Sequence, residues 1–183
     1  IDNPIQVKSI DKNGNPTDVD VKFFEFDPEK IDDNDFLVTN QFKLQGNKDY
    51  ILPDIVVFVN GIPLVLIECK KPDKSDYLQA AFDENFNNYK RKNMGWEKLF
   101  FYNHLMIATC GIAASYGTLS SGPSHFAKWT DPYPLSKAEL GKLCDRTPSA
   151  QDVLLAGILD KKNLLNTLEN FVMYQTIENE NVK

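Results

Sequence analysis

The sequence predicts an α/β fold: a mixed β-sheet flanked by helices, with a helical extension at its C-terminal end. Three observations carry this. Residues 55–59 (IVVFV) and 64–67 (LVLI) are nearly continuous apolar runs joined across Asn60-Gly61, as expected for paired strands buried on both faces. Residues 76–92 place Leu78, Ala81, Phe82, Phe86 and Tyr89 at spacings of three and four, the stripe of an amphipathic helix. After Pro134 the pattern turns helical and stays so.

Taken in order, residues 1–18 read as irregular, with turn signals at Asn13-Gly14 and Asn15-Pro16. Residues 19–26 are β-branched and aromatic and read as a strand closed by Asp27-Pro28. A polar break at residues 32–35 precedes a second strand over 36–45, ended by Gly46-Asn47. The central hairpin and its helix follow. Residues 99–102 fit no single element. Residues 104–110 read as another buried strand closed by Gly111, residues 115–119 as a short strand and 120–123 as a loop. Ser136-x-x-Glu139 matches the capping box, and Ser149-x-x-Asp152 resembles it with Asp in place of Glu or Gln. Leu164, Leu165, Leu168, Phe171 and Val172 mark a last amphipathic helix. The expected order is β-β-β-β-α-β-β and then helices, dividing the chain into a sheet-bearing domain over 1–134 and an extension over 135–183.

Composition narrows the function. A chain of 183 residues with 42% hydrophobic side chains supports one sizeable core, so it is not disordered. A net charge of -6 argues against a protein that coats nucleic acid indiscriminately, but not against a nuclease, whose metal centre needs carboxylates. The acidic excess is local. Residues 1–67 carry 12 acidic and 6 basic side chains, whereas residues 68–98 carry 6 and 7. Weak DNA binding by this domain alone follows from that balance. The three cysteines, Cys69, Cys110 and Cys144, include no C-x-x-C, and His104 and His125 are the sole histidines, so neither disulfides nor zinc is supported. No apolar run is long enough to span a bilayer and no signal peptide is evident, which predicts a cytoplasmic protein without a membrane partner.

Chemistry concentrates in the central strands. Asp54 opens one of them after Pro53, and Glu68 and Lys70 close the next. Residues i and i+2 of a strand share a face, so Glu68 and Lys70 point together while Cys69 points away. A hairpin turning at Asn60-Gly61 sets residue 54 beside 67 or 68. The carboxylates of Asp54 and Glu68 should converge at its open end, making a Mg²⁺ site to which the backbone carbonyl of Cys69 adds a third oxygen. Such a cation serves phosphodiester hydrolysis, with Lys70 holding a water or stabilising phosphate charge. Spacing alone also fits a solvated strand-end rim. Cys69 itself reads as a buried small side chain, His104 and His125 as structural, and Trp96 and Trp129 as packing anchors.

The segment 52–70, LPDIVVFVNGIPLVLIECK, resembles the nuclease motif of the PD-(D/E)xK superfamily, and more closely the N-terminal nuclease domain of the R subunit of type I restriction-modification enzymes. The likeness extends upstream to NDFLVTNQF (34–42). Downstream it covers AAFDENFNNYK (80–90), LFFYNHLMIAT (99–109), YGT (116–118) and LLAGILDKKNLL (154–165).

The resemblance implies a restriction-endonuclease-like fold, Asp54 and Glu68 as metal ligands and Lys70 as the catalytic lysine. It implies that the family's Q-x-x-x-Y motif, supporting the nuclease site or its DNA contact, falls at Asn85 and Tyr89, with Asn in place of Gln. Tyr89 also fits an ordinary core position. Lys71 and Lys74 stand beside the proposed metal and suit DNA, while the cations at 90–92 suit a helix end as well as phosphate. The implied partners are duplex DNA and the M and S subunits. ATP would serve the full-length subunit alone, because no G-x-x-x-x-G-K-[ST] loop occurs here. The chain thus reads as a fragment, truncated before its motor domains and after the family's first helices. Two alternatives remain: a non-catalytic DNA-binding or coupling module of the motor subunit, and a standalone DNA repair nuclease of the same superfamily.

Overall fold

The computed structural model describes residues 5–72 and 76–171. Its centre is a five-stranded mixed sheet. Strands β3 (Phe36–Asn40), β6 (Ile55–Val59) and β7 (Ile62–Cys69) form an antiparallel meander. Strand β8 (Leu105–Thr109) lies parallel to β7, and β9 (Ala114–Gly117) antiparallel to β8. A parallel neighbour requires a crossover, which the helical run 77–89 and a 3₁₀ turn at Glu97–Phe100 supply.

The central hairpin turns as expected. Asn60 and Gly61 both have positive φ, 50° and 77°, the signature of a type I′ turn whose twist matches that of the strands. Asn60 also anchors the turn to the segment before β3: its Nδ2 donates to the Phe23 carbonyl at 2.7 Å and to Asn34 Oδ1 at 2.9 Å. The register then pairs Ile55 with Ile67, which brings Asp54 level with Glu68.

Both sheet faces are covered. On one, Val57, Val65, Ile67 and Ile107 pack against Leu154, Ile158, Leu164, Leu165 and Leu168. Those residues come from α4 (Ala150–Ile158) and α5 (Lys161–Asn170), so helices beyond residue 134 supply an entire apolar layer of the sheet. On the other face, Leu66, Met106 and Ala108 meet Ala81, Phe82, Phe86 and Tyr89, with Trp96, Leu99 and Phe100 beneath. Continuous apolar runs in β7 and β8 are the sequence trace of this double burial. Both serines cap helices. Ser136 and Glu139 start α3 (Lys137–Cys144), and Ser149 with Asp152 forms a complete box at α4 despite the shorter acid.

Several expectations need correction. Within the stretch 1–18 expected to be irregular, the described residues from 5 on are not: β1 (Ile5–Ile10) and β2 (Pro16–Val21) pair as an antiparallel ribbon around the 11–15 turn, with Asp11 accepting from the Asn13 and Asn15 amides. The strand expected over 19–26 therefore stops at Val21, and Phe24 and Phe26 pack against the core from a loop. The single strand expected over 36–45 is broken at Gln41, where φ is 51°; beyond it β4 (Leu44–Gln45) pairs with β5 (Tyr50–Ile51) in a separate ribbon. Finally, the helix expected over 76–92 is not uniform. Between α1 (Tyr77–Ala81) and α2 (Asn87–Tyr89) the segment Phe82–Phe86 is π-helical. The last helix ends at Asn170, so Phe171, expected on its apolar stripe, is an exposed cap residue, and Val172 lies outside the described residues.

Candidate active site

The open end of the β6–β7 hairpin gathers Asp54, Glu68 and Lys70. Strand alternation sends Glu68 and Lys70 to the face covered by the helical run 77–89. Glu68 is 1% exposed, and its carboxylate accepts from Tyr89 Oη at 2.7 Å on Oε1 and lies 3.8 Å from Lys70 Nζ on Oε2. Lys70 Nζ donates to Asn85 Oδ1 at 2.6 Å and to Glu84 Oε2 at 2.9 Å. Asn85 in turn donates through Nδ2 to Tyr89 Oη at 3.2 Å. A closed ring results: Glu68, Tyr89, Asn85, Lys70 and back to Glu68. Asp54 sits beside it, accepting from the Cys69 amide on Oδ2 at 2.8 Å and from Gln41 Nε2 on Oδ1 at 3.2 Å.

The π-helical segment explains how one helix serves Lys70 twice. In a regular α-helix adjacent residues project about 100° apart. The wider π turn lets Glu84 and Asn85 both reach the ammonium, and such turns recur at functional sites.

Burial sets the electrostatics. Desolvation pushes the Glu68 carboxyl up to about 7; the Tyr89 hydrogen bond opposes this, the neighbouring Asp54 charge adds to it, and Lys70 counteracts it. Tyr89 is pushed far above its ordinary value, first by burial and then by the Glu68 charge, so its hydroxyl stays a donor. Two carboxylates in a poorly hydrated corner favour either a shared proton or a cation. Among the described residues no cluster of three or more His, Cys, Asp or Glu has metal-binding geometry. A hard cation that retains several waters needs one or two carboxylates, so the pair present fits Mg²⁺ and does not fit zinc.

Other sequence candidates fall as follows. Cys69 is exposed rather than buried, because β7 ends there beyond the covering helices; its thiol is pushed up, first by partial desolvation and then by Asp54 and Glu68. Lys71 is exposed on the chain leaving β7, and Lys74 lies outside the described residues. Lys90 donates to the Ser121 carbonyl at 2.8 Å and lies over the Phe82 ring, a packing role. His104 is buried at the far end of β8, where desolvation holds its imidazole down to about 4. Trp96 is fully buried and Trp129 packs edge-on against Tyr116.

Gln41 and Glu84 were not anticipated. An unbroken strand over 36–45 makes Gln41 an ordinary strand position. Carrying the meander one residue past the Asn40–Ile55 pair would have set it opposite Asp54. Glu84 escaped because regular helical spacing points it away from Asn85.

The fold and site together define an α/β domain with a buried acid–lysine centre at one sheet end. The chain belongs to the family described as type I restriction enzyme R protein N terminus, whose model matches residues 1–125 and so spans every residue of that centre. It is 29% identical over 176 residues to the type I restriction enzyme MjaIXP endonuclease subunit of Methanocaldococcus jannaschii, covering 89% of this chain and 16% of that one. It is 32% identical over 145 residues to the type I restriction enzyme HindI endonuclease subunit of Haemophilus influenzae, covering 78% and 13%. A second M. jannaschii protein, the MjaVIIIP endonuclease subunit, is 27% identical over 150 residues, covering 81% and 13%. The chain therefore spans about a seventh of the length of these curated relatives.

Proposed function

We propose that this chain is a Mg²⁺-dependent nuclease domain that hydrolyses phosphodiester bonds of duplex DNA within a type I restriction enzyme, on a restriction-endonuclease-like sheet. The observation that carries this is the ring joining Glu68, Tyr89, Asn85 and Lys70 with Asp54 beside it, in a chain of the R-protein family. Asp54 and Glu68, with the Cys69 backbone carbonyl, would hold the cation. When bound, it polarises a phosphoryl oxygen and lowers the pKa of a coordinated water.

The protein's own groups do the rest. The Cys69 amide and Gln41 fix the Asp54 carboxylate. Tyr89 fixes Glu68 in its acceptor state, leaving Oε2 turned towards Lys70. Lys70, largely buried and held by Glu84 and Asn85, presents a cation where a phosphate oxygen or an attacking water would lie. Asn85, standing where the family motif has Gln, bridges Lys70 and Tyr89. Lys71, exposed where the chain leaves β7, supplies positive charge for the DNA backbone.

Duplex DNA and the M and S subunits of the restriction complex are the proposed partners, and ATP acts in the longer subunit rather than in this domain. The division near residue 134 is proposed as a change of role: the nuclease centre lies before it, and helices that cover the sheet and lead onward lie after it. Among the described residues no helix is long and apolar enough to cross a membrane.

The test is cleavage of supercoiled plasmid by the assembled enzyme. Asp54→Ala abolishes metal-dependent cutting while ATP hydrolysis continues. Undiminished cutting by that variant assigns the domain to coupling rather than catalysis. Unaided cutting of branched DNA by this chain alone identifies a standalone repair nuclease instead.

A further inference from the structure

Gln41 holds a conformation that its side chain does not favour. Its φ of 51° lies in the left-handed region, where a β-carbon crowds the following carbonyl and glycine is at ease. The backbone there is tied down independently of the side chain: the Gln41 amide donates to the Asp54 carbonyl at 2.8 Å and the Phe42 amide to the Pro53 carbonyl at 3.2 Å. Glycine would meet every one of these demands with less strain. What glycine would lack is the carboxamide, and the Gln41 carboxamide donates to Asp54 Oδ1. The opposite oxygen, Oδ2, is already held by the Cys69 amide.

We propose that Gln41 is a positioning residue for the metal centre: it locks the Asp54 carboxylate plane against rotation so that the free lone pairs of both oxygens face Glu68 before a cation arrives. Two donors on opposite oxygens fix that plane, whereas one leaves it free to swing about the Cβ–Cγ bond. Local strain at Gln41 is retained in exchange for this fixed ligand. The inference rests on the reading of Asp54 and Glu68 as cation ligands, and it adds a residue from the break just past β3 to a centre otherwise built at the adjoining ends of β6 and β7 and on the crossover helix.

The experiment measures Mn²⁺ binding alone, by electron paramagnetic resonance, on the full-length endonuclease subunit without ATP. Three proteins are compared: wild type, Gln41→Gly and Asp54→Ala. Asp54→Ala reports whether the site exists. Gln41→Gly removes the carboxamide while relieving the backbone, so its fold is at least as stable as wild type by thermal denaturation. The expected result is loss of one Mn²⁺ site in Asp54→Ala and, in Gln41→Gly, retention of that site with its dissociation constant raised on the order of tenfold, as loss of a ligand-orienting contact typically does. In plasmid cleavage by the assembled enzyme, Gln41→Gly should need correspondingly more Mg²⁺ for half-maximal rate, with the rate recovering at saturation. Unchanged Mn²⁺ affinity in Gln41→Gly, alongside a lost site in Asp54→Ala, overturns the inference and leaves the metal site standing. No change in Asp54→Ala overturns both.

Discussion

Replacing Glu68 by Gln should stabilise the metal-free protein at high pH and leave it unaffected in acid. Glu68 is raised from 4.5 to about 7 by burial. The folded state therefore retains a proton that the unfolded state has released. The stability this confers is fully present below about pH 4.5 and is lost as pH rises through about 7. Ionising the buried carboxyl above that range costs about 3 kcal/mol, from 1.36 kcal/mol for each tenfold change in acidity. Gln matches the neutral acid in shape and still accepts from Tyr89 Oη, but its second group places an amide near Lys70, which offsets part of the gain. A net advantage of about 2 kcal/mol at pH 8 corresponds to a melting temperature higher by roughly 4–8 °C for a chain of this size. The assay is thermal unfolding of both proteins in EDTA from pH 4.5 to 8. The two curves should nearly coincide at the acid end and separate progressively from about pH 4.5 to 7, with Gln the more stable above that range. Adding Mg²⁺ at pH 8 should raise wild type only. Parallel curves across the range, or a Gln variant that melts lower at pH 8, would refute the claim that Glu68 is held as a desolvated acid awaiting a cation.

Tyr89→Phe removes the hydroxyl that orients Glu68, and cleavage by the assembled enzyme should fall about 10- to 100-fold while melting drops by no more than about 1–2 kcal/mol equivalent. Lys70→Met keeps the buried stem and removes the cation; plasmid cutting should be abolished, and retention of more than a small fraction of activity would remove Lys70 from the mechanism. Asn60→Ala places a β-branch-free but still L-configured residue at positive φ and deletes three side-chain hydrogen bonds, to the Phe23 carbonyl, Asn34 and the Asp35 amide, so denaturant unfolding should show a loss of about 3 kcal/mol. Ser149→Ala removes the α4 cap and should cost about 1 kcal/mol by the same measurement.

The central hairpin was legible because several signals agreed there. Asn60-Gly61 specifies one turn type, and the two flanking apolar runs narrow the neighbour of Asp54 to residue 67 or 68; the pairing of Ile55 with Ile67 in the structure makes it Glu68. Asn85 and Tyr89 were legible as a pair, though not in their contacts. The sequence leaves Tyr89 divided between core and site; in the structure its ring stacks on Phe100 while its hydroxyl donates to Glu68. What escaped depended on departures from regular geometry. The β1–β2 ribbon is exposed on nearly every residue, so no burial pattern marked it. The break at Gln41 uses a backbone conformation that glutamine seldom adopts, and the π turn at Phe82–Phe86 shifts side chains that helical spacing would have put elsewhere. Both irregularities adjoin the proposed centre, where local preference yields to the positioning of a few polar groups.

The most direct test of a metal-dependent nuclease centre is anomalous diffraction from crystals of the endonuclease subunit soaked in Mn²⁺. A peak beside the Asp54 and Glu68 carboxylates, which with the Cys69 carbonyl would hold the ion, is the expected result. Well-ordered carboxylates that still share their present hydrogen bonds, with no peak between them at millimolar Mn²⁺, would contradict the account.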